Sequence, residues 1–139
     1  MTTKEIIYYL SGKCLFSKKL NKSGCKIGST RHILPRMKTY QTLYSDRVPL
    51  ICYFEIDADC YKVQNKIRLY LSEYVLSGGG GYIYDSEYVT VEKLEEFFRM
   101  EDINAVKCYG DELDFTERLS KEEREVISKE DDEIYNSAN

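Results

Sequence analysis

Cys25-Lys26-Ile27-Gly28-Ser29-Thr30, with Arg36 eight residues beyond Gly28, is the stretch whose reading decides the fold. Its first residues form a short strand that breaks at Gly-Ser-Thr. Pro35-Arg36 then falls where a helix opens, because proline is tolerated in a helix's first turn. A strand running into such a turn places backbone N–H groups and a cation around one point, an arrangement that holds phosphate. Phosphodiester chemistry is the first functional expectation.

Upstream, Glu5-Ile6-Ile7-Tyr8-Tyr9-Leu10 is β-branched and aromatic, and a long basic loop joins it to the quoted strand, so the two read as a hairpin. Residues 34–43 read as a helix. Leu50-Ile51-Cys52-Tyr53-Phe54-Glu55-Ile56 is a third strand, apolar enough to be central. Asp57 or Asp59 caps a second helix running to about Leu76, with Cys60, Gln64, Ile67, Leu71 and Tyr74 along its core stripe. After the four-glycine break at 78–81, Tyr82-Ile83-Tyr84 and Glu87-Tyr88-Val89 read as short extended pieces, and Thr90 caps a helix over 91–100.

The expected fold is therefore α/β of the α+β kind: a small, mainly antiparallel central sheet of about three strands flanked by helices. It fills a domain over 1–109. The acidic tail over 110–139 reads as helical or disordered, with Ser120-Lys121-Glu122-Glu123 fitting a capping box.

A composition with 42% hydrophobic residues and two prolines suits one packed core. No stretch approaches the roughly 18 consecutive apolar residues of a membrane span, and no apolar leader opens the chain, so a soluble intracellular protein is expected. The five cysteines include no Cys-x-x-Cys pair and read as reduced thiols. A zinc site from Cys14, Cys25 and His32 lacks a fourth ligand.

The net charge of −4 speaks against a polyanion partner, but its distribution reverses that inference. Residues 1–49 carry ten Lys and Arg against two acids, whereas 50–139 carry ten against twenty-two. The basic half is the candidate nucleic-acid face, with Lys18, Lys19, Lys22, Ser29 and Arg31 as backbone contacts. The acidic tail is the candidate segment for a protein partner.

Tyr8, Lys26-Ile27-Gly28-Ser29-Thr30 and Arg36, in a hairpin–helix–strand–helix order, resemble the GIY-YIG nuclease superfamily, with Ile6-Ile7-Tyr8 and Lys26-Ile27-Gly28 in place of the two named tripeptides. The likeness is nearest to a branch found in phages and large DNA viruses, which makes a virus-encoded protein the expectation. It implies that Tyr8 activates or positions a water, that Arg36 stabilises phosphate charge, that Lys26 replaces the second tyrosine, and that Tyr40 lines the site from the same helix. It also implies DNA as substrate and a Mg²⁺ or Mn²⁺ ion held by a glutamate on the second helix. That position is Gln64 here, and a neutral amide is a poor sole ligand for a hard dication. Two readings follow: a metal-dependent endonuclease, with Glu87 or Asp59 as relocated ligand, or a non-catalytic module that keeps the fold to bind nucleic acid or a protein.

Overall fold

A computed structural model describes residues 4–12, 15, 18, 20–43, 49–77 and 82–138. Lys13, Cys14, Lys19 and the four glycines at 78–81 lie outside them. The chain order is β1 (Glu5–Ser11), β2 (Gly24–Thr30), α1 (Ile33–Leu43), β3 (Leu50–Ile56), α2 (Cys60–Tyr70), β4 (Val75–Ser77), β5 (Ile83–Asp85), α3 (Val91–Met100), β6 (Ala105–Tyr109) and α4 (Lys121–Ala138).

The sheet has six strands, not about three, in the order β4-β5-β2-β1-β3-β6, and every neighbouring pair is antiparallel. The expected β1, β2 and β3 are its centre. The three additional strands are short: β4 and β5 have three residues each and β6 has five. Such lengths are too brief for an alternating pattern to stand out, so their extended state comes from pairing with an edge already formed. Glu87-Tyr88-Val89 is a turn instead of a strand, because the Asp85 carboxylate accepts from the Glu87 amide at 3.0 Å and the Asp85 carbonyl from the Tyr88 and Val89 amides. Helix α2 stops at Tyr70, short of Leu76, since Val75 is drawn into pairing with Tyr84.

The helix starts follow local chemistry. Asp59 accepts from the Tyr61 and Lys62 amides, and Thr90 from the Lys93 amide. In α4 the Ser120 hydroxyl accepts from the Glu123 amide at 3.1 Å while Glu123 accepts from the Ser120 amide at 2.9 Å, a reciprocal capping box.

Alternation along the strands sorts the core into two layers. Ile7, Tyr9, Cys25, Ile27, Cys52 and Phe54 face α2 and α3. Tyr8 and Leu10 face Met37 of α1, with Leu15 and Phe115 closing that layer; Leu50 joins it although it stands two residues from Cys52, because the β1–β3 register shifts between Tyr9 and Leu10. Helix α4 rests on both α1 and α2.

Candidate nucleic-acid interface

Directly opposed residues of an antiparallel pair share a face, so the β1–β2 register decides which motif residues meet. Tyr8 lies opposite Gly28 and Leu10 opposite Lys26, on the α1 side. Ile7 lies opposite Ser29 and Tyr9 opposite Ile27, on the α2 side. The Tyr8 ring crosses the backbone at Gly28 so closely that a Cβ there would overlap the end of the ring. Glycine is thus required for space.

One turn beyond Arg36, the Tyr40 hydroxyl pairs with that of Tyr8 at 2.7 Å, the two rings meeting edge to face. The Lys26 ammonium stands 5.1 Å from the centre of the Tyr40 ring, and the Arg36 cation acts on the Tyr8 hydroxyl through space. Tyr8, Lys26, Arg36 and Tyr40 therefore gather on one face. Burial, followed by the neighbouring Tyr40, holds the Tyr8 phenol well above the usual tyrosine range, so it stays neutral at physiological pH.

Gln64 is not with them. It projects from α2 over the opposite face of β2, where its carbonyl oxygen accepts from Ser29 Oγ and its amide reaches the Ile27 carbonyl at 3.5 Å. Asp59 is committed to capping α2 and lies 3.6 Å from Arg31, and Glu87 sits in the turn after β5.

The residue that completes the site is Glu130 of α4, which is 1% exposed. One of its oxygens accepts from Thr30 Oγ1 at 2.5 Å, Arg36 Nη2 at 2.8 Å and Arg36 Nε at 3.3 Å. The other accepts from the Arg31 amide at 2.8 Å and the Tyr61 hydroxyl at 2.9 Å. Around it, Asp131 takes Arg36 Nη1 at 2.8 Å and Glu123 takes Lys38 at 3.0 Å. Arg31 is bound through Nε to both oxygens of Glu5, and its guanidinium lies over the Tyr61 ring. Among the basic loop residues, Lys22 is paired with Asp85 at 3.0 Å, Lys18 is exposed, and Lys19 is outside the described residues.

Thr30 and Tyr61 thus join the site, and α4 pairs with Arg31, Arg36 and Lys38 of the basic half. Thr30 ended the strand motif and was legible as a hydroxyl beside the turn. Nothing local marked Tyr61 or Glu130, which meet it only through tertiary folding.

Burial opposes the charge on Glu130, but hydrogen bonds from Thr30, the Arg31 amide and Arg36 outweigh it and hold the carboxyl below its ordinary value of 4.5. Glu123 is likewise lowered, by the Ser120 amide and then Lys38. A depressed folded-state pKa contributes stability that is full above the ordinary value and is lost as pH falls through the folded one. We expect α4 to hold at pH 7 and to loosen in acid as pH falls below the ordinary carboxyl value of 4.5 and through the lowered values of Glu130 and Glu123. Amide exchange along α4 measured across that range checks it; unchanged protection at low pH would show that these carboxylates do not anchor the helix.

No group of three or more His, Cys, Asp or Glu side chains is gathered among the described residues. Both oxygens of Glu130 are taken by donors, Asp131 is bound to Arg36, and Gln64 is uncharged and faces the other way. A hard divalent cation, which needs carboxylate oxygens with room for water, does not fit this donor set. The chemistry on offer is anion binding by hydroxyl, amide and guanidinium donors.

Cations and phenols gathered on the hairpin–helix face are consistent with a nuclease-like, nucleic-acid-binding module, the class that a family match also suggests. A model of the T5orf172 domain matches residues 5–114, and the chain belongs to that nuclease-associated family. Nothing among curated proteins or solved structures matches it. No helix among the described residues is long and apolar enough to cross a membrane.

Proposed function

We propose that the protein is a non-cutting, GIY-YIG-derived module that grips the phosphate backbone of DNA with its β1–β2–α1 face. The observation that carries this reading is the separation of Gln64 from Arg36 by the sheet, which leaves the anion-binding half of a nuclease site without a metal-holding carboxylate. Lys26 and Lys18 supply cations toward the backbone, and Arg36 supplies the planar fork that fits a phosphate's paired oxygens. Phosphate contact releases counterions, so affinity for duplex DNA should fall with a log–log salt slope of about −0.9 for each phosphate neutralised. Lys26→Glu should weaken binding and flatten the slope by about one contact. Equal binding at low and high salt, or no effect of Lys26→Glu, would sink the reading.

A second reading, phosphodiester cleavage, is favoured by the meeting of Tyr8, Lys26, Tyr40 and Arg36. Supercoiled plasmid incubated with Mg²⁺ or Mn²⁺ separates the two. Neither wild type nor Gln64→Glu should nick it, because a carboxylate at residue 64 would face the wrong side of β2. Nicking by the wild type would replace the binding module with an endonuclease.

A further inference from the structure

We propose that Thr30, the Arg31 amide, Arg36 and Tyr61 form a phosphate-binding cradle, and that α4 is its intramolecular occupant, displaced when nucleic acid binds. This rests on the nucleic-acid reading above and adds to it the identity of the subsite and its regulation.

The cradle is built wholly of donors: a hydroxyl, a backbone N–H, a guanidinium and a phenol converge on one buried carboxylate. A phosphodiester presents two charged oxygens that the same donors can satisfy. The simpler account, a buried ion pair that stabilises the fold, explains little. Such pairs contribute weakly against the desolvation they require, and an apolar contact would hold the helix as well.

Helix α4 makes limited apolar contact: Ile127 is buried and Ile134 packs, partly buried, against the main core. Among its described side chains only Ile127 and Glu130 are buried, and its polar attachments beyond Glu130 include the ion pairs of Glu123, Asp131 and Glu133 with Lys38, Arg36 and Arg31 and the Ser137 carbonyl, which accepts from Asn65 at 3.3 Å. Of these attachments the Arg36–Asp131 and Arg31–Glu133 pairs reach solvent and contribute little, so release of α4 is opposed chiefly by the burial of Glu130 and Ile127. The family match ends at residue 114, so the cradle belongs to the shared domain while its occupant lies beyond it. A tethered acid acts as a competitor at an effective concentration on the order of millimolar. DNA then binds only the fraction of molecules with α4 released, which weakens apparent affinity by that fraction.

The test compares full-length wild type with Glu130→Gln for binding to a short labelled DNA duplex, and follows amide exchange along α4 with and without DNA. Glu130→Gln should bind about tenfold or more tightly, as when a docked population near 90% is released. In the wild type, DNA should strip protection from α4. Equal binding by the two proteins, with α4 still protected in the DNA complex, would overturn the competition and leave the nucleic-acid reading standing. An unprotected α4 in Glu130→Gln with DNA bound by neither protein would overturn the nucleic-acid reading and this one with it.

Should Glu130→Gln fail to fold, the double variant Glu123→Gln, Asp131→Asn removes charge from carboxylates closer to solvent and keeps a glutamine able to complete the capping box. It should bind about threefold more tightly, since only the outer ion pairs are lost. No gain in that variant, with α4 released, would likewise overturn the competition.

Discussion

Arg36→Ala is expected to loosen α4 as Glu130→Gln does, yet to bind DNA at least about tenfold more weakly than Glu130→Gln, because a charge-assisted contact contributes roughly 1.5–3 kcal/mol. The guanidinium serves both occupants of the cradle. With the helix docked it holds Glu130 at 2.8 Å and Asp131 at 2.8 Å; with the helix away, the same fork faces the phosphate. Removing one partner of a buried ion pair ordinarily costs about 3–5 kcal/mol, since the other charge is stranded. Here that cost has a ceiling. Once α4 detaches, Glu130 regains water, so the loss cannot exceed the free energy of docking the helix. Arg36→Ala should therefore show local loss of exchange protection on α4 with the sheet still protected. If it bound DNA as tightly as Glu130→Gln, Arg36 would be an anchor for α4 and no part of the phosphate site.

The central half of the fold was readable because its signals are local. Strands β1, β2 and β3 carry β-branched and aromatic runs, and the caps Asp59, Thr90 and Ser120–Glu123 each satisfy helix amides within three residues. Strands β4, β5 and β6 were not readable as a sheet. Val75, Ile83 and Ala105 begin segments too short to carry a period, and they become strands only against Tyr84, Cys25 and Ile56.

The site divides in the same way. Tyr8 and Lys26 share a face through the two-residue strand period, and Arg36 and Tyr40 through one helical turn. The stripe that included Gln64 indicated a core-facing position, but a helix stripe does not say which face of the sheet it will cover. Glu130 meets Arg36 across 94 positions, beyond any local pattern. Its only trace in the sequence is the separation of charge: three of the bases before residue 50 are met by acids of α4, as Lys38, Arg36 and Arg31 find Glu123, Glu130 and Glu133. The segregation that read as two faces for two partners is, in the folded chain, partly an internal pairing, since Arg31, Arg36 and Lys38 meet the tail while Lys4 and Lys22 pair with Glu55 and Asp85.

Gly28→Ala is expected to cost about 2–3 kcal/mol, although it adds one methyl group to a β-strand where alanine is ordinarily tolerated. The added Cβ would overlap the end of the Tyr8 ring, and that ring is buried against Tyr40 and Met37 with 4% of its surface exposed. The ring has to swing away. Overpacking of this kind costs roughly 1–3 kcal/mol, and the swing also breaks the hydrogen bond to Tyr40, which contributes about 1 kcal/mol. Denaturant midpoints for the wild type and Gly28→Ala, at unchanged slope, measure the loss. The cause is isolated by a double-mutant cycle with Tyr8→Leu, whose side chain ends short of the overlap: in that background the alanine should cost less than about 1 kcal/mol, leaving a coupling of 1–2 kcal/mol between residues 8 and 28. If Gly28→Ala were neutral alone, the Tyr8 ring would not be fixed across Gly28, and the meeting of the two phenols beside Lys26 and Arg36 would have to be given up. If the cost persisted unchanged after Tyr8→Leu, the glycine would be needed for its backbone and not for the ring. The expected coupling instead ties the glycine of the strand motif to the placement of Tyr8, because only a residue without a side chain lets that phenol cross the strand to reach Tyr40.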